Sequence, residues 1–199
     1  MSRIFQQLID KTMNFLDRVI LKNHKFAIVS NNCWGFQLYK ILNRQYNTPF
    51  VGLYILFDEY LLLTENIKKY LTVKITEKNF ITTHENFPVA KIYDVRIFFM
   101  HYKDQQEAIS KWNNRRKRLL IFLKEYGEGR IIYKFCDKDS ENSSDLDKLT
   151  RINKKRKIIF TRNDKKLLGK DGKLFNGDVL FKKRYKYYIR YLKIFSHTR

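Results

Sequence analysis

Phe26-Ala27-Ile28-Val29, followed at once by Ser30-Asn31-Asn32-Cys33-Trp34-Gly35, is the stretch that decides the fold. A short, unbroken apolar run reads as a strand buried on both faces, and the residues after it read as a turn. Phe36 to Leu42 then restores apolar residues at three- and four-residue spacing, which predicts a helix. Strand, polar turn, helix is the unit of an α/β domain with a largely parallel sheet, where ligands collect at strand C-terminal ends.

The same pattern extends in both directions. Residues 2–22 predict an amphipathic helix, with Ile4, Leu8, Phe15 and Val19 on one flank and Phe5, Ile9, Leu16 and Ile20 on the next; its apolar face is expected to join the core. Downstream, Phe50 to Leu56 predicts a second buried segment and 58–71 a helix. Val73 to Ile75 and Phe80-Ile81 predict short strands, His84 to Val89 a loop around Pro88, and Val95 to Met100 a strong strand. Asp104 with Glu107 three residues on has the spacing of a capping box before a helix to about Lys124. Gly127 and Gly129 stop it, and Arg130 to Cys136 predicts a strand. A short helix at 146–152, a strand at 157–161, a loop at 163–178 and a basic, aromatic helix at 184–195 complete the expectation. No linker or repeat divides the 199 residues, so a single domain is expected, with its core at about 25–162.

Composition narrows the class. With 16% aromatic residues, seven Gly and two Pro, the chain is not of the disordered type. The formal net charge is +21, distributed as 13 Lys+Arg against 8 Asp+Glu in residues 1–100 and 28 against 12 in residues 101–199. Such a surplus attracts nucleic acid, anionic lipid or acidic polysaccharide. A bland cause stands beside that one, because Lys, Asn, Ile, Phe and Tyr all have AT-rich codons. Two cysteines do not make a disulfide framework. Asp10 and Asp17 interrupt the N-terminal apolar residues as no secretion signal would, and the run Phe50 to Phe57 is far short of the ~20 residues of a bilayer span. The expectation is a cytoplasmic protein, peripheral at most to the inner face of a membrane.

Two polar clusters fall at strand ends, Ser30-Asn31-Asn32-Cys33 and His101-Tyr102-Lys103. A cysteine near a helix N-terminus gains thiolate character, and a histidine within reach would take its proton, giving a pair able to attack an acyl or other electrophilic carbon. Cys33 and His101 are therefore the candidate catalytic residues. Asn31, Asn32 and neighbouring N–H groups suit an oxyanion or a sugar hydroxyl. Asp94, at the start of the strand leading to His101, is the candidate orienting group. Ser30, Trp34, Tyr102, Lys103, Arg115 and Arg118 complete the candidate substrate contacts; Arg115 and Arg118 lie on the apolar side of their helix near Trp112. A lone cysteine is also commonly a small buried hydrophobe, so Cys33 carries a structural reading as well. No metal spacing, GxGxxG, Walker loop or GxSxG elbow occurs, and neither metal nor cofactor is expected. The Tyr- and Lys-rich stretch Lys182 to Lys193 suits an anionic membrane surface or base stacking, without a recognisable nucleic-acid motif.

Ile28 to Gly35, Tyr46-Asn47-Thr48-Pro49-Phe50-Val51-Gly52-Leu53, Phe99 to Lys103 and Lys111 to Arg118, in this order, resemble a bacterial family labelled exopolysaccharide biosynthesis protein, of unknown molecular function. The likeness spans roughly residues 25–162. It implies a three-layer α/β fold and a role in capsule, exopolysaccharide or lipopolysaccharide synthesis, with a sugar, sugar nucleotide or lipid-linked glycan as partner. Cys33 and His101 match motif positions for which the family supplies no reaction. A transferase is the first expectation, a noncatalytic glycan- or membrane-binding accessory the second, and a nonspecific nucleic-acid binder the third.

Overall fold

The computed structural model describes residues 3–33, 36–136, 154 and 156–160. Helix α1 (Arg3–Leu21) leads into strand β1 (Ala27–Ser30), whose four residues are all buried, as an unbroken apolar run requires. Parallel pairing places β1 against β5 (Ile131–Cys136), and β5 against β6 (Lys157–Phe160), giving the sheet order β1-β5-β6. The largely parallel sheet of the sequence expectation is this one.

A second sheet stands beside it. Strands β2 (Phe80–Ile81), β3 (Val89–Ile92) and β4 (Val95–Phe98) form an antiparallel meander in that order. The fold is thus mixed α/β, and the strand that delivers His101 belongs to the antiparallel sheet. Pro88 and the polar run before it have the composition of a loop, which hides β3 in the sequence.

Helix α2 (Phe36–Ile41) follows β1 and protects its outer edge. The Tyr39 hydroxyl accepts the Ile28 N–H at 3.2 Å and donates to Asn47, whose amide donates to the Phe26 carbonyl at 2.9 Å. Side chains thereby satisfy backbone groups that would otherwise invite strand addition. The helix expected over 58–71 is two, α3 (Phe57–Glu65) and α4 (Ile67–Thr72). Asn66 breaks it, and its side chain accepts the Lys69 N–H as the N-cap of α4. Val73 to Ile75 forms no strand. The Asn113 amide instead accepts the Ile75 N–H at 3.1 Å and donates to the Ile75 carbonyl at 2.8 Å, doing for one residue what a neighbouring strand would do.

Helix α5 (Gln105–Tyr126) begins at Asp104, whose carboxylate accepts the Glu107 N–H at 2.8 Å. The Glu107 carboxylate reaches one residue beyond the ideal box, to the Lys103 N–H at 2.7 Å. Trp112, wholly buried on this helix, meets Phe50 and Phe99 edge-on at 5.6 and 6.0 Å between ring centroids. Residues of both sheets share the one core, among them Ala27, Val29 and Tyr133 of the first and Ala90, Val95 and Ile97 of the second. Helix α1 departs from expectation. Its apolar residues Ile4, Phe5, Leu8, Phe15, Leu16, Val19 and Ile20 are exposed, and only Leu21 enters the core.

The expected helices at 146–152 and 184–195, the loop at 163–178 and the side chain of Trp34 lie outside the described residues. Among the described residues no helix is long and apolar enough to cross a membrane.

Candidate functional site

Parallel pairing with β5 fixes where the turn after β1 can go. The Asn31 N–H donates to the Lys134 carbonyl at 3.2 Å, and the Asn31 carbonyl accepts from Ile55 at 2.8 Å. Ser30 and Asn31 are buried, the Ser30 hydroxyl accepts the Asn32 N–H, and Lys134, itself buried, donates to the Asn32 side-chain oxygen. These three residues, the expected substrate contacts, shape the turn that carries Cys33. The Ser30 hydroxyl thus bonds nearby backbone, and the Asn32 side chain bonds a buried ammonium. Cys33 follows half-buried and unbridged. Helix α2 has only six residues, so its dipole is small.

Residues 50–56, expected as a buried segment, are buried but extended between the two sheets. Ile55 bonds to the end of β1 as above, while Tyr54 and Phe98 exchange both backbone hydrogen bonds, at 2.9 and 3.0 Å. Their rings stack at 4.3 Å. Two residues earlier the Gly52 carbonyl accepts the His101 N–H at 3.1 Å. Gly52 has φ +72°, and a Cβ there would lie 3.3 Å from the His101 Cβ. One strip of backbone therefore ties the Cys33 turn to the His101 turn.

The third wall comes from α5. Arg115 donates to the Tyr102 hydroxyl at 2.8 Å, and that hydroxyl donates to the Val51 carbonyl at 2.6 Å. The guanidinium also lies 4.9 Å from the Tyr46 ring centre. Burial pushes the Tyr102 hydroxyl up to about 12, against the pull of Arg115, so it stays a neutral hydrogen-bonding group. One turn before Arg115, Lys111 pairs with Glu107, whose carboxyl is held below its ordinary value chiefly by that bond.

A cleft of about 400 Å³ opens between these walls, lined by Cys33, Lys40, Tyr46, Val51, Gly52, His101, Tyr102, Lys111 and Arg115. Of the residues singled out from sequence, Cys33, His101, Tyr102 and Arg115 are brought together there. Others are placed elsewhere. Asp94 is exposed in the β3–β4 turn, at the end of β4 away from His101. Lys103 is exposed, its N–H engaged by Glu107. Arg118 holds the Tyr46 carbonyl at 2.6 Å, and burial followed by the charge of Arg115 lowers its proton affinity. Lys40, Tyr46, Gly52 and Lys111 belong to the cleft and were not singled out. The i,i+4 spacing of Lys111 and Arg115 placed both on one helical face, whereas Tyr46 and Gly52 enter only through long-range backbone pairing. Among the described residues no group of three or more His, Cys, Asp or Glu side chains could hold a metal ion.

Chemically, the cleft combines a thiol, an imidazole and three cationic side chains. It suits an anionic or polyhydroxylated ligand: Arg115 and Lys111 could bind a phosphate or carboxylate, and Cys33 and His101 could serve as nucleophile and base.

Comparison with known proteins shows that the chain belongs to the family described as Domain of unknown function (DUF1919), whose model matches residues 4–170. It is 32% identical over 150 residues to an uncharacterized protein of Haemophilus influenzae, an alignment covering 74% of this chain and 68% of that protein.

Proposed function

We propose that this DUF1919 member acts in bacterial surface-polysaccharide synthesis, as a transferase on a sugar, sugar nucleotide or lipid-linked glycan bound in the Cys33–His101 cleft. One observation carries the proposal: Cys33 and His101, in the turns that follow strands of two different sheets, line the same cleft with Arg115, Lys111 and Lys40. The surface-glycan setting rests on the resemblance of the Ser30 to Gly35 and Phe99 to Lys103 segments to exopolysaccharide-biosynthesis proteins. Cations in the cleft suit the phosphates of a nucleotide- or lipid-linked donor. Such donors place the work on the cytoplasmic side, at the inner face of the membrane.

For an acyl donor the step is written as follows. His101 takes the Cys33 proton, the sulfur attacks the acyl carbon, and the leaving group departs with that proton. A sugar hydroxyl then attacks the thioester and gives its proton to His101, which returns it to the departing Cys33 sulfur. Tyr102 and Arg115 position the donor's anionic part.

The test is complementation of a strain lacking the gene, with the surface polysaccharide analysed for mass and linkage. Cys33→Ala and His101→Ala should stay folded yet leave the glycan short of an acyl group or sugar. Full restoration by both variants sinks the transferase and favours a noncatalytic glycan- or membrane-binding accessory.

A further inference from the structure

Helix α1 packs on the protein with a mixed side, Ile9, Met13, Asn14, Asp17 and Leu21, and leaves its larger apolar strip outside. Surface helices ordinarily turn an apolar stripe to the core and a polar face to water. Here Leu21 is buried, Asp17 is half-buried, and the Asn14 side-chain oxygen is buried with no hydrogen-bond partner among the described residues. Arg18 donates to the Ile41 carbonyl at 2.7 Å, and Arg44 binds the Leu21, Lys22 and His24 carbonyls, so the helix end is anchored in this orientation.

Ile4, Phe5, Leu8, Phe15, Leu16 and Val19 consequently face outward, with Ile4 72% and Phe15 63% exposed. At ~100° per residue they span roughly a third of the helix circumference. The one polar residue among them, Thr12, donates its hydroxyl to the Leu8 carbonyl at 3.0 Å, which hides its hydrogen from the surroundings. Exposed Lys11 and Lys22 run along one margin of this strip, whereas Asp17 is turned toward the body. An apolar strip with cations at its margin and Asp17 on the far side is the layout of a helix lying in a membrane interface.

We infer that α1 seats the protein on an anionic lipid bilayer, its axis in the interface plane and Leu8, Phe15 and Val19 entering the acyl boundary. Charge decides between lipid and a second copy of this chain. At +21, two copies repel, whereas anionic headgroups attract the same field. The inference deepens the membrane-facing part of the proposed function and is independent of the chemistry at Cys33.

The experiment is co-sedimentation of the full chain with phosphatidylcholine vesicles with and without phosphatidylglycerol, at physiological and raised salt. The wild type should bind the anionic vesicles and retain part of that binding at raised salt, because apolar insertion is not screened. Phe15→Glu and Val19→Glu together, at exposed positions that leave the thermal midpoint unchanged, should weaken binding roughly tenfold or more, since two large apolar side chains no longer insert. Lys11→Gln with Lys22→Gln should weaken binding at physiological salt only. Equal vesicle binding by the wild type and the Glu variant overturns the inference, because general charge would then suffice. A wild-type dimer that the Glu variant dissociates, without vesicle binding by either, overturns it in favour of self-association. Loss of vesicle binding by the Glu variant with intact Cys33-dependent glycan restoration separates this surface from the cleft.

Discussion

Gly52 and His101 fix one another's position: the Gly52 carbonyl accepts the His101 N–H at 3.1 Å, and the Gly52 Cα comes so near that an added Cβ would stand 3.3 Å from the His101 Cβ. Both residues line the cleft, and Gly52 lies on the strip of backbone that joins the two sheets. Whatever His101 does, Gly52 sets where it can do it.

Gly52→Ala should therefore act on both stability and the site. A side chain at φ +72° costs about 1–2 kcal/mol, and the contact with His101 adds to it. Urea denaturation should show that loss, and the His101 ring resonances should shift. An unchanged denaturation midpoint would show that the backbone relaxes freely here.

Arg116 was not singled out from sequence, yet it is the buried arginine of α5. Its guanidinium donates to the last carbonyls of α4, to Leu71 at 2.5 Å and Thr72 at 3.3 Å. Arg116→Met should destabilise by roughly 1–2 kcal/mol, since hydrogen bonds from a charged donor are lost while a buried unpartnered Nε is relieved. Hydrogen exchange should locate the loss at α4. A uniform change across the chain would count against the cap.

Arg44 is the clamp on the end of α1, with three carbonyl acceptors on one guanidinium. Arg44→Ala should release the α1 C-terminus, seen as faster amide exchange over residues 15–22 with the β1–β5 ladder unaffected. Arg44→Lys should rescue only in part, because an ammonium lacks the fork that reaches several acceptors.

Stability should fall on the alkaline side. Burial raises the Tyr39 and Tyr60 hydroxyls well above their ordinary value, and raises Tyr102 to about 12. A folded-state value above the unfolded one, near ~10, favours the fold fully below that pH and is lost as pH rises through the folded value. The denaturation midpoint should hold near neutrality and decline steadily above about pH 10. Tyrosinate absorbance should develop in two phases, exposed tyrosines first and the buried ones only on unfolding.

Much of the local structure was legible in the residues themselves. The apolar run into β1, the Asp104 cap and glycine stop of α5, and the strand at Ile131 follow from near-neighbour chemistry, which sequence displays directly. The break at Asn66 was present in the sequence as a helix-capping residue type, but apolar spacing on both sides hid it. Ser30, Asn31 and Asn32 looked like ligand groups because a polar turn after a strand is where ligands bind. Only the buried Lys134 opposite Ser30 reveals that Asn32 is already engaged.

By itself, the sequence determined an α/β chain with a parallel strand–turn–helix unit and a strongly basic charge, and it marked Cys33 and His101. Tertiary structure alone decided that these two share a cleft, because they arrive on different sheets and meet through the backbone pairing of residues 52–55, which has no side-chain signature. It also decided the direction in which α1 faces. Periodicity shows that a helix has an apolar side; only the anchoring of the helix, through Arg18, buried Leu21 and the Arg44 clamp on its end, shows that the larger apolar strip is turned out.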